Sequence, residues 1–228
     1  LYVACCSLGS THVFVLQQTA TGFAAKQVAT GQLTVPPDEA TDVWSNPKRT
    51  NIEATRCLAT PPPALGGGAA PVMIWGSRGG KDYAGVEGSR HPEGRPHVWL
   101  RWAKFDPSTG MADEASMSER QLKSVGDTLE WRTLSSLDVV GDRMYFSAAY
   151  DGEEEGVAVD ASDVLRSGGT RKAFRSLIAQ LTLPDGEPTI VSRFDGLKVE
   201  GVAHLGPTAA TPGAAELLIT SDDEALGC

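Results

Sequence analysis

The chain has 228 residues, of which 41% are hydrophobic and 21% charged, a globular composition that fits one large or two small domains. Its formal net charge of −9 argues against general nucleic-acid binding, because neutralising phosphates needs a basic face. No apolar run approaches the roughly 20 residues of a membrane helix, so no membrane span is expected.

The N-terminal stretch LYVACCSLGSTHVFVLQQ lacks a basic leader region and a small-residue cleavage site, so it reads as strand, turn, strand rather than a signal peptide. AKQVAT continues in the same style. NIEATRCLA (51–59) and APVMIWGSRGG (70–80) come next as two strands, then HVWLRWAKFD. ASMSERQLKS (115–124) is a short helix candidate. SSLDVVG and DRMYFSAAYDG (135–152) read as a hairpin, and EGVAVDA as a further strand. ASDVLRSG (161–168) is the better helix candidate, with Ser162 as its cap and a glycine at its end. LIAQLTL, PTIVSRF, LKVEGVAHL (197–205) and AELLITSDDE (215–224) close the chain as strands. Short strands spaced by Gly, Pro and Asp turns predict an all-β fold.

Three segments repeat one layout: NIEATRCLA with APVMIWGSRGG, SSLDVVG with DRMYFSAAYDG, and LKVEGVAHL with AELLITSDDE. Each has an acid (Glu53, Asp138, Glu200) on a first strand and small, polar residues ending its partner. A β-propeller of about four to six blades is the expected architecture, because innermost strands line a wet channel where small residues and a carboxylate are tolerated. One domain is expected over residues 1–228, starting inside a blade. Another segment or chain would then complete the ring, because an open blade edge invites aggregation. A β-sandwich is the alternative.

The order Asn-Ile-Glu-Ala-Thr (51–55), Ile-Trp-Gly-Ser-Arg-Gly-Gly (74–80), Leu-Asp-Val-Val-Gly-Asp-Arg-Met-Tyr (137–145), Lys-Val-Glu-Gly-Val-Ala (198–203) and Ser-Asp-Asp-Glu (221–224) resembles a bacterial family of uncharacterised propeller proteins, loosely related to esterase-like phytase propellers. The chain departs from that pattern at Cys-Cys-Ser near its start and at Ala54, where the family has glycine. Glu200-Gly201 is similar, more distantly, to the glutamate-glycine pair that holds a central metal in calcium-dependent lactonase propellers. These resemblances imply a metal-dependent hydrolase or lactonase-like activity.

Glu53, Asp138, Glu200, Asp222 and Asp223 are the candidate metal ligands at the channel mouth. Gathered carboxylates need protonation, an arginine or a hard cation, and calcium takes six to eight oxygens. The alternatives are a solvated turn at Asp222-Asp223-Glu224 and pairing with arginine. Arg78, in GSRGG, could fork onto a ligand's carboxylate or phosphate, or neutralise Glu53 or Glu200. His204 lies four residues after Glu200 on the same strand face, which makes it a candidate base or ligand contact. DGEEEG (151–156) reads as a solvated hairpin tip. No G-x-S-x-G elbow is present, so an esterase reading has no nucleophile.

Cys5, Cys6, Cys57 and Cys228 do not have zinc spacing. They read as buried thiols, or as disulfides in an exported or periplasmic protein. Trp75, Trp99, Trp102 and Trp131 read as packing aromatics, with Trp99 and Trp102 on opposite strand faces. Three functions are compatible with these residues: a small-ligand or divalent-metal binder with hydrolase-like chemistry, a non-catalytic platform for a protein partner, or a carbohydrate-binding sandwich.

Overall fold

The computed structural model describes residues 2–4, 10–33, 52–77, 99–122, 133–149, 176–194, 197–206 and 216–221. These residues form antiparallel sheets, as expected of an all-β chain. Strands β1 (Tyr2–Ala4), β2 (Ser10–Thr19) and β3 (Gly22–Gln32) make the first sheet. The second holds β4 (Ile52–Leu58), β5 (Val72–Ser77), β6 (Trp99–Asp106) and β7 (Met111–Ala112) in chain order, with β8 (Ser118–Gln121) also on β6. The third is a four-stranded meander of β9 (Thr133–Val140), β10 (Arg143–Ala149), β11 (Ser176–Thr182) and β12 (Thr189–Phe194). β13 (Val199–His204) and β14 (Leu217–Ser221) pair as a hairpin. Among the described residues no helix is long and apolar enough to cross a membrane.

Near-continuous apolar runs arise where a sheet is covered on both faces. Along β5, Val72 and Ile74 enter one core while Met73 and Trp75 enter another, the two-residue alternation of an extended chain. β10 divides in the same way: Met144, Phe146 and Ala148 face the second sheet's side, and Tyr145 joins Ile178, Val199 and Val202 under β13. Three cores therefore separate four successive layers. Val13 and Leu33 of the first sheet meet β5 and β6, the second and third sheets share the largest core, and the third sheet packs on the last hairpin. The first strands also adjoin, β4 against β9 and β9 against β13.

The three acid-bearing strands share a β-bulge near their starts, but the repeat aligns differently from the expectation. Pairing skips Glu53 between Ile52 and Ala54, Ser135 between Leu134 and Ser136, and Glu200 between Val199 and Gly201. Position by position, Ser135 is the counterpart of Glu53 and Glu200. Asp138 lies three residues further on, level with Arg56 of β4. A bulge adds a residue to one strand and re-aims the side chains beyond it, so equal spacing by eye did not give equal position in the sheet. Small residues oppose each bulge, at Gly76, Ser147 and Thr220. A Cβ on Gly201 would overlap Oγ1 of Thr220, so this glycine makes room across the hairpin.

The expected helix ASMSERQLKS is not formed over its described part, 115–122: the end of a 3-10 turn (Glu114–Ser116) leads into β8, whose residues pair with Trp99 to Trp102. The available edge of β6 outweighs a weak helical pattern, and Arg101 gains Glu119 as its cross-strand partner at 2.7 Å. ASDVLRSG, EGVAVDA and DGEEEG lie outside the described residues. Trp75 is buried and Trp102 packs against the main core, as expected of packing aromatics.

Candidate functional site

Asp138 is the buried acid around which three strands meet. It is only 4% exposed, on β9 between Leu137 and Val139, which both enter the main core. Its Oδ1 pairs with the Nε of Arg56 as an ion pair at 3.0 Å and accepts the N–H of Val139 at 2.8 Å. Its Oδ2 accepts the backbone N–H of His204 at 2.7 Å. One carboxylate thus links β4, β9 and β13. Two residues earlier on the same face, Oγ of Ser136 accepts the N–H of Val202 at 3.2 Å. These side chains satisfy N–H groups that β13 does not pair with β14, which closes an otherwise open edge. Ser176 adds a third tie: its Oγ donates to the carbonyl of Leu197 and accepts from the N–H of Val199.

The His204 ring stands over Tyr145, with centroids 6.1 Å apart and planes at 25°. Its Nδ1 accepts the N–H of Gly206 at 2.9 Å, so a neutral ring carries its proton on Nε2. Gly206 has φ +81°, the left-handed region that lets the chain turn back to make this bond. Tyr145 is the cross-strand neighbour of Asp138, so carboxylate, phenol ring and imidazole belong to one cluster.

Glu200 takes a different partner. Lys198, two residues earlier and only 3% exposed, brings Nζ to within 2.9 Å of Glu200 Oε1. Of the five candidate acids, Asp138 and Glu200 have described side chains, and each has a side-chain cation beside it, Arg56 and Lys198 respectively. Arg78, Asp222, Asp223 and the side chain of Glu53 lie outside the described residues. Among the described residues, no group of three or more His, Cys, Asp or Glu could hold a metal ion. No family model, curated protein or solved structure matches the chain.

Arg56 carries no signal in its own strand, because its partner comes from the neighbouring sheet. Lys198 does carry one: a lysine two places before a glutamate is within side-chain reach of it. Among the described residues, two buried hydroxyls, Oγ of Ser135 and Oγ of Ser147, have no hydrogen-bond partner; Ser135 is the bulge residue and Ser147 pairs beside it.

Cys57, next to Arg56 on β4, is a half-buried free thiol. Burial pushes it up to about 11, with Arg56 pulling weakly the other way. Relative to its ordinary value of 9.0, that lowers the thiolate fraction near pH 8 by about 100-fold. The higher intrinsic nucleophilicity of a more basic thiolate returns about eightfold of this. Iodoacetamide labelling of native Cys57, followed by peptide mass mapping, is therefore expected to run at least tenfold slower than in urea. Equal rates would show the thiol to be open.

Proposed function

We propose that the chain folds as a β-propeller and serves as a small-ligand binding module, with its seat where β4, β9 and β13 meet. The stacking of four layers in chain order over three separate cores supports the propeller. A sandwich needs two sheets over one core. The adjacency of the first strands supports it too, since innermost strands of successive blades are neighbours around an axis.

The observation that carries the binding reading is how Asp138 is used. Both of its oxygens are engaged, by Arg56 and by two backbone N–H groups. The carboxylate therefore holds an arginine and the backbone of His204, whose guanidinium and imidazole face a ligand in its place. A calcium ion would require Asp138 to release Arg56 and Glu200 to release Lys198. Displacing Lys198, only 3% exposed, is the costlier of the two, because a buried ammonium cannot turn to water as the half-exposed Arg56 can. This arrangement favours recognition through cationic and aromatic groups over the metal-dependent hydrolysis implied by the family resemblance.

Thermal unfolding with millimolar calcium, magnesium or manganese, at fixed ionic strength, tests this. No saturable rise in melting temperature is expected. A calcium-specific rise that disappears in Glu200→Gln would restore the metal-centred hydrolase reading.

A further inference from the structure

We propose that the junction binds a small, singly charged carboxylate, gripped by the Arg56 guanidinium and the Nε2–H of His204 beside the Tyr145 ring. This rests on the binding-module reading above. Arg56 spends only its Nε on Asp138, and its side chain is 51% exposed. The two Nη groups thus form a fork with a fixed root, a geometry that matches the two oxygens of a carboxylate. On the other oxygen of Asp138, the backbone of His204 is held, and its ring is oriented twice, by the Gly206 N–H and by the Tyr145 face. Donors fixed before binding lose little conformational freedom on binding, which is what makes a weak two-point contact specific.

Charge selects the ligand class. Arg56 is offset by Asp138 and Lys198 by Glu200, so the neighbourhood is nearly neutral within a chain of net charge −9. A doubly charged phosphate would bring its second charge close to Asp138, and among the described residues of the junction Arg56 and Lys198 are each already paired with an acid. A single negative charge matches the one partly spent guanidinium. The imidazole, backed by the buried Tyr145 ring, offers a flat surface to the organic part of the ligand.

The probes are sodium acetate, sodium propionate and inorganic phosphate, titrated against the intact chain at constant ionic strength with chloride as balance. The readout is the ring NMR signals of His204, identified by their loss in His204→Leu. Acetate is expected to shift them saturably, with half-saturation in roughly the millimolar range that four non-hydrogen atoms allow. Propionate is expected to bind at least as tightly. Arg56→Lys keeps a cation for Asp138 and removes the fork, so it is expected to raise half-saturation at least fivefold with the melting temperature nearly unchanged. An unchanged half-saturation in Arg56→Lys would overturn the proposed grip. A saturable shift with phosphate and none with either carboxylate would overturn the ligand class while leaving the binding seat in place. No response to any of the three would overturn both.

Discussion

Asp138→Ala is expected to lower the unfolding free energy by about 3 kcal/mol, in the range of a broken buried network. The substitution removes the acceptor of the His204 N–H and of the Val139 N–H. Each buried donor left without an acceptor costs about 1–3 kcal/mol. Arg56 contributes little to the loss, because its half-exposed guanidinium can turn to water. For a chain of this size, 3 kcal/mol corresponds to a fall in melting temperature of roughly 6–12 °C. Urea unfolding would measure it directly. Asp138→Asn is the sharper comparison: its amide keeps the shape but puts an NH2 group against either Arg56 Nε or the His204 N–H. It should recover only part of the loss. A cost below about 1 kcal/mol for alanine would mean that Asp138 does not fasten the three sheets together.

Gly31→Ala is expected to cost as much or more, for a steric reason. Gly31 on β3 lies against the β6–β7 turn, and a Cβ there would sit 2.9 Å from the carbonyl oxygen of Thr109 and closer still to that of Gly110. Those are backbone atoms, so no rotamer relieves the overlap. The turn is also stiff. Asp106 accepts from the Oγ and N–H of Ser108 at 2.7 and 2.8 Å and from Oγ1 of Thr109 at 3.2 Å. These bonds, led by the one from the Ser108 side chain, hold its carboxyl below the usual range. Gly110 completes the turn at φ +74° and its carbonyl accepts from Thr11. An alanine at 31 must push the first sheet off the second, weakening that bond and the packing of Val13 and Leu33 on Phe105 and Trp75. A loss of about 3 kcal/mol or more in urea unfolding is expected, as for overpacking that cannot relax. Gly141→Ala is the control. It has φ +59° and open space around its Cβ, so it should cost only the roughly 1–2 kcal/mol of left-handed backbone. Equal losses at 31 and 141 would refute the close approach.

The strands of the second and third sheets were legible because those two layers lie between cores, so unbroken runs such as Val72 to Trp75 stand out against the turn residues that bound them. The acid on each first strand was legible as well, since a carboxylate among apolar neighbours demands a partner. His204 was singled out beside Glu200, and it does belong to the cluster. Its hydrogen-bonded acid is nevertheless Asp138, 66 positions away, and the link runs through the backbone N–H. Residues 115–124 looked helical because a ten-residue window holds no information about the open edge of β6.

From its sequence alone this chain is committed to strands broken by Gly, Pro and Asp turns and to a carboxylate in the middle of a core strand, because local sterics and two-residue alternation act over a few neighbours. Which acid meets which cation was decided only in three dimensions. The bulges at Glu53, Ser135 and Glu200 shift each strand against its partner by one residue, and that shift sets Arg56 level with Asp138 across two sheets. Ion pairs between sheets depend on register and packing, which only the folded layers create.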